Sequence, residues 1–188
     1  MNSSDWKGAW NNTKHARSQV WDGRGRNDMV GFAIRFLEGL PGVRAANPEV
    51  RLSTVVDEGR PDDLALSVEY PMPTEDPAAR DVWCEVEQPD WTAGRALAFS
   101  VKPAHATRLS VSFLDRNRVA YTAWVGLEPE RWQAVRIPFE QIRPNPYFQI
   151  PGVDTGRPID VSEVKHIGFA PHDESSGSFT ISSIAIAD

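Results

Sequence analysis

The residue types that most often carry out chemistry are scarce in this chain and do not form a recognisable reactive site. The four histidines (His15, His105, His166 and His172) form no pair at metal-binding spacing, and the single cysteine excludes a CxxC motif. No GxSxG sequence or phosphate-cradling glycine loop is present. Acidic residues are plentiful, but a glycosidase pair must lie roughly 5–10 Å apart, which sequence alone cannot establish. We therefore predict that the chain is not an enzyme, with glycoside hydrolysis as the weakest alternative.

Aromatic residues at outward or loop positions are more informative. Alternation places Trp83 on the face opposite Cys84, and it places Tyr121 and Trp124 on opposite faces of one strand. Tyr147 and Phe148 follow two prolines in a loop. Exposed rings give a large contact area at low entropic cost, and they can stack on the apolar faces of sugars. Core packing is the competing interpretation for each ring taken singly.

Size and charge exclude several classes of function. A chain of 188 residues fits one domain, with room for an appendage. Its net charge of −6 argues against nucleic acid or a membrane surface as partner, because both need clustered positive charge. Cys84 cannot form a disulfide within the chain, and no stretch approaches the ~20 apolar residues of a membrane span. The N-terminus lacks a signal-peptide pattern, so an exported form would be part of a longer protein.

Short apolar segments separated by Gly, Pro, Asp or Asn predict about ten strands and almost no helix. We predict an all-β fold, a two-sheet antiparallel β-sandwich of the jelly-roll type, over residues 34–188. Residues 1–33 are predicted to be an irregular N-terminal extension. In the segment RLSVSFLD, the residues Leu109, Val111 and Phe113 should face the core, and Ser110, Ser112 and Leu114 should face outward. Several such outward sets are small, which leaves room for a ligand or a second layer.

The C-terminal half carries several features in a recognisable order. They are Trp132 before a strand ending Ile-Pro-Phe at 137–139, a basic and aromatic loop at 143–152, a turn led by Asp160, an Ile-Gly-Phe strand at 167–169 and a closing strand at 176–184. In this combination the chain resembles the galactose-binding-like jelly rolls, and among them carbohydrate-binding module family 11. The resemblance covers roughly residues 36–188.

The resemblance implies a ligand cleft on one sheet that binds β-1,4 or mixed β-1,3/1,4-glucan, with tyrosines stacking and Arg and Asp hydrogen-bonding. Our candidate ligand-binding residues are Trp83, Asp115, Arg118, Tyr121, Trp124, Asn145, Tyr147, Phe148 and His172. The family's Arg, Asp and Tyr in the loop after Ile-Pro-Phe fall on Asn145, Tyr147 and Phe148. A further acidic position falls on Lys165, and a tyrosine falls on Pro171. An aromatic therefore remains in the loop, while its charged pair is replaced.

The same resemblance raises the question of structural calcium near the first and last strands. Glu38 is retained in the first strand, but Ser182 or Ser183 replaces the usual acid of the last strand. We predict no cofactor and no metal at the ligand site, with structural calcium left as an open alternative.

These observations predict a non-catalytic carbohydrate-binding module that recognises a plant-type β-glucan and targets a linked glycoside hydrolase. The expected partners are a polysaccharide or oligosaccharide and the linked catalytic domain, with no nucleic acid and no membrane. The expected location is extracellular, within a larger secreted and cellulase-associated protein. The alternative is a protein-interaction or assembly module on the same jelly-roll fold.

Overall fold

The computed structural model describes residues 29–57, 60–76 and 78–188, and this part of the chain is built from β-strands joined by turns and loops. The strands are β1 (Met29–Ile34), β2 (Val43–Ala45), β3 (Arg51–Asp57), β4 (Arg60–Tyr70), β5 (Val82–Glu85), β6 (Ala96–Pro103), β7 (Thr107–Asp115), β8 (Ala120–Leu127), β9 (Gln133–Pro138), β10 (Arg143–Pro144), β11 (Val164–Pro171), β12 (Gly177–Ile181) and β13 (Ile184–Ala187). In the described part of the chain, one 3-10 turn, at Phe139–Gln141, follows β9. No helix among the described residues is long and apolar enough to cross a membrane.

The strands form two antiparallel sheets, which confirms the predicted fold class. In the first sheet β6 pairs with β9 on one edge and with β12 and β13 on the other. From there β13 pairs with β1, and β12 pairs with β4, which pairs with β3. The second sheet has the order β10-β8-β7-β11-β5-β2. Whether a side chain is buried or exposed therefore depends on which side of its sheet it occupies.

Alternation sorts the residues of the central strands as predicted. In β7, the side chains of Leu109, Val111 and Phe113 are at most 1% exposed and face the first sheet. The intervening Ser110 and Ser112 face outward, since successive residues of a strand point to opposite sides. The same alternation holds in β4, β6 and β11. The buried rows of both sheets form one hydrophobic core.

Three features of the strands differ from the sequence prediction. The first strand begins at Met29 and pairs with β13, so it crosses the predicted boundary between residues 33 and 34. The rest of the predicted extension, residues 1–28, lies outside the described residues. The closing segment is split into β12 and β13, which pair with successive parts of β6 with a one-residue shift in register. Between them the Ser182 hydroxyl accepts a bond from the Ser100 N–H at 2.8 Å. The short strands β2 and β10 carry too few residues to show periodicity.

Trp91 closes one end of the core from the loop between β5 and β6. Its ring is fully buried, stacks on Phe139 with centroids 5.8 Å apart and meets Phe113 edge-on at 6.2 Å. The indole N–H donates to the Gln88 carbonyl at 2.9 Å, so the polar atom of the buried ring is satisfied.

Asp81, immediately before β5, is a carboxyl group in an unfavourable environment. Burial, with a smaller contribution from the nearby Asp76, raises the pKa of Asp81 to about 7, and Arg80 opposes the shift. An unfolded Asp has a pKa near 3.9. Between about pH 4 and pH 7 the folded state therefore binds more protons than the unfolded state, so this group's contribution to stability falls as the pH rises through that window.

We predict that Asp81→Asn raises the melting temperature at pH 8 more than at pH 4, because the neutral amide removes the cost of a buried charge. Thermal melts across this pH range provide the measurement. Asp90→Asn is the comparison, since hydrogen bonds from Thr92 lower the pKa of Asp90 and its removal should cost stability at high pH. Equal gains for Asp81→Asn at both pH values would contradict the assignment.

Candidate functional site

The outer face of the second sheet, meaning the side turned away from the first sheet, carries a continuous row of paired residues. In order across the strands these are Arg44, Trp83, Gly168, Ser112, Thr122 and Arg143. The middle of the row is formed by small side chains, and arginines stand at its two ends. A second row beside it holds Ala170, Ser110 and Trp124. The face therefore has a low centre with larger side chains around it.

Trp83 lies flat on this face because its cross-strand partner is a glycine. A methyl group at Gly168 would lie 2.9, 2.9 and 3.0 Å from three carbons of the six-membered ring of Trp83. Because the three distances are nearly equal, the Cβ position lies directly over the ring. The ring plane is therefore roughly perpendicular to the Cα–Cβ direction at Gly168. One face of the indole therefore rests on the Gly168 backbone. The opposite face points away from the sheet, and the residue is partly exposed.

At the other side of the face, Trp124 contacts a histidine and an arginine. Its ring meets His172 edge-on with centroids 4.6 Å apart, and the guanidinium carbon of Arg108 lies 5.1 Å from the ring centre. The Nε2 atom of His172 is 3.1 Å from the Ser110 hydroxyl, and its backbone N–H donates to the Arg108 carbonyl at 2.7 Å. This brings together two predicted site residues, Trp124 and His172.

The loop that follows β10 presents two exposed rings. Tyr147 is 68% exposed and Phe148 is 62% exposed. The side-chain oxygen of Asn145 accepts the backbone N–H groups of both residues, at 2.9 and 3.2 Å, and so shapes the turn. Gln149 fastens the loop to β8 by bonding both the N–H and the carbonyl of Ala120. Asn145 therefore has a structural task that the sequence did not reveal.

Two predicted ligand residues are wrong, because both are buried. Tyr121 is 0% exposed, faces the core and donates its hydroxyl to the Arg157 and Pro158 carbonyls at 3.2 and 3.1 Å. Burial raises the pKa of Tyr121 to about 12. Asp115 is also 0% exposed.

The carboxylate of Asp115 organises the β7–β8 turn. It accepts the backbone N–H groups of Asn117, Val119 and Asp160 at 2.9, 3.1 and 3.2 Å. Arg118, also predicted as a ligand residue, sits in this turn with φ of +62°. The turn is at the opposite end of the hairpin from Trp124, so Arg118 and Trp124 do not belong to one cluster.

A polar cluster near His172 has the residue types of a catalytic triad but the wrong geometry. The Ser175 hydroxyl lies 3.0 Å from Nε2 of His105, and the Asp173 carboxylate lies 3.4 Å from the same nitrogen. A triad needs the serine and the carboxylate on different ring nitrogens. The cluster instead holds loops together: Arg80 and Tyr70 donate to Asp173 at 3.0 and 2.8 Å.

The structural-calcium alternative depends on acidic side chains near the first and last strands. Among the residues that the structure describes, no group of three or more His, Cys, Asp or Glu side chains is placed to hold a metal ion. The Ser182 hydroxyl accepts the Ser100 N–H instead, and Ser182 is 1% exposed.

Sequence reasoning missed Arg108 and Gly168. The signal for Arg108 was present, because alternation from Leu109 places it outward beside Ser110. No local signal identified Gly168, since its partner Trp83 is 85 positions away.

The fold is shared with known carbohydrate-binding modules. A family 11 module from Clostridium thermocellum, solved with a β-1,3-1,4-mixed-linked tetrasaccharide, superposes with a TM-score of 0.65 at 18% identity, over 84% of this chain and 95% of that chain. The family 11 module of a cellulosomal cellulase of the same organism gives 0.64 at 19% identity, over 85% and 96%. No protein-family model matches the sequence, and no curated protein matches it. The resemblance found in the sequence is confirmed at the level of fold.

The same fold also occurs inside a longer chain. An exo-β-agarase structure superposes with a TM-score of 0.56 at 13% identity, covering 84% of this chain but 26% of that one. The chain thus matches about a quarter of the agarase.

We predict that Asp115→Ala lowers the free energy of unfolding by roughly 3 kcal/mol, because three backbone donors lose a charged acceptor. Chemical denaturation measures the change. Asp154→Ala, which removes an exposed carboxylate from the neighbouring loop, should have a much smaller effect. A cost for Asp115→Ala as small as that of Asp154→Ala would contradict the assigned role.

We predict that Gly168→Ala destabilises the protein by about 1–3 kcal/mol through overpacking, because the Trp83 ring must leave its place. The matched control is Gly126→Ala, which also faces outward from the second sheet and would meet nothing within 4 Å. Melting curves and near-ultraviolet circular dichroism report stability and ring placement. Identical behaviour of the two variants would show that Trp83 does not rest on Gly168.

Proposed function

We propose that this protein is a non-catalytic carbohydrate-binding module that holds an extended β-linked glycan on the outer face of its second sheet. The glycan class proposed first is a β-1,4 or mixed β-1,3/1,4-glucan, since a family 11 module of the same fold is described in complex with a mixed-linked tetrasaccharide. Binding is non-covalent and involves no metal at the ligand.

The observation that carries the proposal is the placement of Trp83. One face of its ring is supported by the backbone at Gly168, and the other face is turned outward. A supported ring is already ordered in the folded protein, so it loses little conformational entropy when a sugar stacks on it. Ser112, which pairs with Gly168 on the side away from Trp83, adds a hydroxyl to the same row, and a hydroxyl suits a polyol ligand.

We further propose that the module serves a linked glycoside hydrolase in a secreted protein. The support is that a similar fold occurs within a longer agarase and within a cellulosomal cellulase. In that arrangement the module keeps the catalytic domain close to its polymer, which raises the local substrate concentration.

The alternative function is that the same face binds a protein partner. A protein-docking surface would be a contiguous apolar patch of several hundred Å². Here the strand β7, with the small polar side chains of Ser110 and Ser112, lies between Trp124 on β8 and Trp83 on β5. Rings interleaved with hydroxyls favour sugar over an apolar protein surface.

Affinity gel electrophoresis against barley β-glucan, xyloglucan, xylan and mannan tests the proposal. We predict that β-glucan retards the chain and that Trp83→Ala abolishes the retardation without a large change in melting temperature. Gly168→Ala should weaken retardation because it displaces the ring, whereas Gly126→Ala serves as the control that leaves Trp83 in place. Absence of retardation by all four polymers would refute the proposed function. Retention of binding by Trp83→Ala would refute the assigned platform.

A further inference from the structure

Asp81 lies on the outer face of the second sheet, on the same strand side as Trp83. The N–H of Ala46 donates to the Asp81 carbonyl at 2.9 Å, which extends the pairing of β2 with β5 by one residue beyond Val82. Val82 is 0% exposed and faces the core, so its two chain neighbours, Asp81 and Trp83, both point outward. Residues two apart along a strand are about 7 Å apart, so one sugar chain can reach both side chains.

The Asp81 carboxyl group receives no hydrogen bond from the part of the chain that the structure describes. Its cross-strand neighbours are Ala46 on β2 and, where the register of β5 with β11 continues, Ala170, and neither side chain can donate. Every fully buried side-chain oxygen among the described residues has a hydrogen-bond partner. Because the Asp81 oxygens have none there, they must reach the surface.

This environment distinguishes Asp81 from other aspartates of the protein. Hydrogen bonds lower the pKa values of Asp90, Asp154 and Asp160. The pKa of Asp81 is instead raised to about 7, chiefly by burial and to a smaller extent by Asp76. Folding therefore leaves the charged form of Asp81 without the donors that the other three carboxylates receive.

The cationic and titratable groups on the elements around this carboxyl group are bonded elsewhere. Arg80, which acts against the raised pKa, donates to the carboxylate and the carbonyl of Asp173, both at 3.0 Å. Arg44 on β2 donates to the Glu85 carboxylate at 3.2 Å. His172, on the same face after β11, is neutral at pH 7 because burial lowers its pKa. A ligand is therefore the source from which the carboxylate can gain donors other than water.

We propose that the Asp81 carboxylate binds a pair of glycan hydroxyls beside the ring of Trp83. This inference rests on the proposed function and adds a polar contact to the same face. Two vicinal hydroxyls of a sugar ring can donate to the two oxygens of one carboxylate. Such hydrogen bonds are charge-assisted, and they supply the donors that the protein does not. Trp83 then contributes contact area, while Asp81 fixes the orientation of the sugar on the ring.

The proposed contact links affinity to pH. Hydroxyls that donate to the carboxylate favour its charged form, so the pKa of Asp81 is lower in the complex than in the free protein. At pH values between these two pKa values, binding releases a proton, and affinity rises with pH until it levels off above about pH 7. A sugar that merely covered the carboxyl group would remove water from the charge and have the opposite effect.

Isothermal titration calorimetry of the unchanged protein with a β-1,3-1,4-mixed-linked tetrasaccharide tests the inference. Titrations between about pH 5 and pH 8, in buffers of different ionisation enthalpy, give both the dissociation constant and the number of protons released. We expect affinity to increase about tenfold across this range, as hydrogen bonds to a charged acceptor would give. We also expect a net release of protons on binding near pH 6.

Asp81→Asn should abolish the proton release, flatten the pH dependence and weaken binding about tenfold at pH 8. The same variant is expected to be more stable than the unchanged protein at that pH, so weaker binding would not reflect unfolding. The matched control is Asp90→Asn, which removes an exposed carboxylate at the opposite end of β5 and should keep both the affinity and the proton release.

The outcomes separate this inference from the proposed function. Binding with no proton release, or with proton uptake, would overturn the Asp81 contact and leave the glycan-binding face standing. Undiminished proton release by Asp81→Asn would also overturn it, because another group would then be titrating. Absence of binding at every pH would overturn both the contact and the glucan class proposed above.

Discussion

Burial of one side of every strand between the two sheets is the constraint on which the rest of the structure depends. Apolar burial contributes roughly 25 cal/mol per Å², so turning a row such as Leu109, Val111 and Phe113 to solvent would cost several kcal/mol. A one-residue slip of β7 would do exactly that, because side chains alternate with a period of two. The core row thereby fixes the outward direction of Arg108 and Ser110, and no separate interaction is needed to aim them.

Features that depend on local periodicity were predictable, and features that depend on pairing between distant segments were not. Alternation predicted about ten strands and the inward row of β7. It also put Tyr121 and Trp124 on opposite faces but could not say which faced the core, since that depends on the strands packed beneath. The support of Trp83 by Gly168 arises from the register of β5 against β11, which the sequence does not encode locally.

Charged residues were hardest to assign, because a carboxylate or guanidinium can serve the fold as well as a ligand. Asp115 looked like a ligand group and is instead the acceptor for three backbone donors in a turn. Arg80 and Asp173 form a nearly buried pair that joins the loop before β5 to the loop after β11. Burying the two charges costs desolvation free energy. The pair fixes the position of the loop after β11, and with it the position of His172, which precedes Asp173 in the chain.

For the proposed glycan-binding face, the spacing of Trp83 and Trp124 favours an extended ligand over a compact one. Trp83 on β5 and Trp124 on β8 are three strand spacings apart, about 14 Å across the sheet. A single sugar cannot contact both, whereas a chain lying across the strands passes over Ser112 on β7, where a small side chain leaves room between the two rings. Each sugar gives up hydrogen bonds to water on binding, so each contact adds little free energy. Several weak contacts along one chain then add up to useful affinity while each remains easily broken, which allows a polymer to be held and also exchanged.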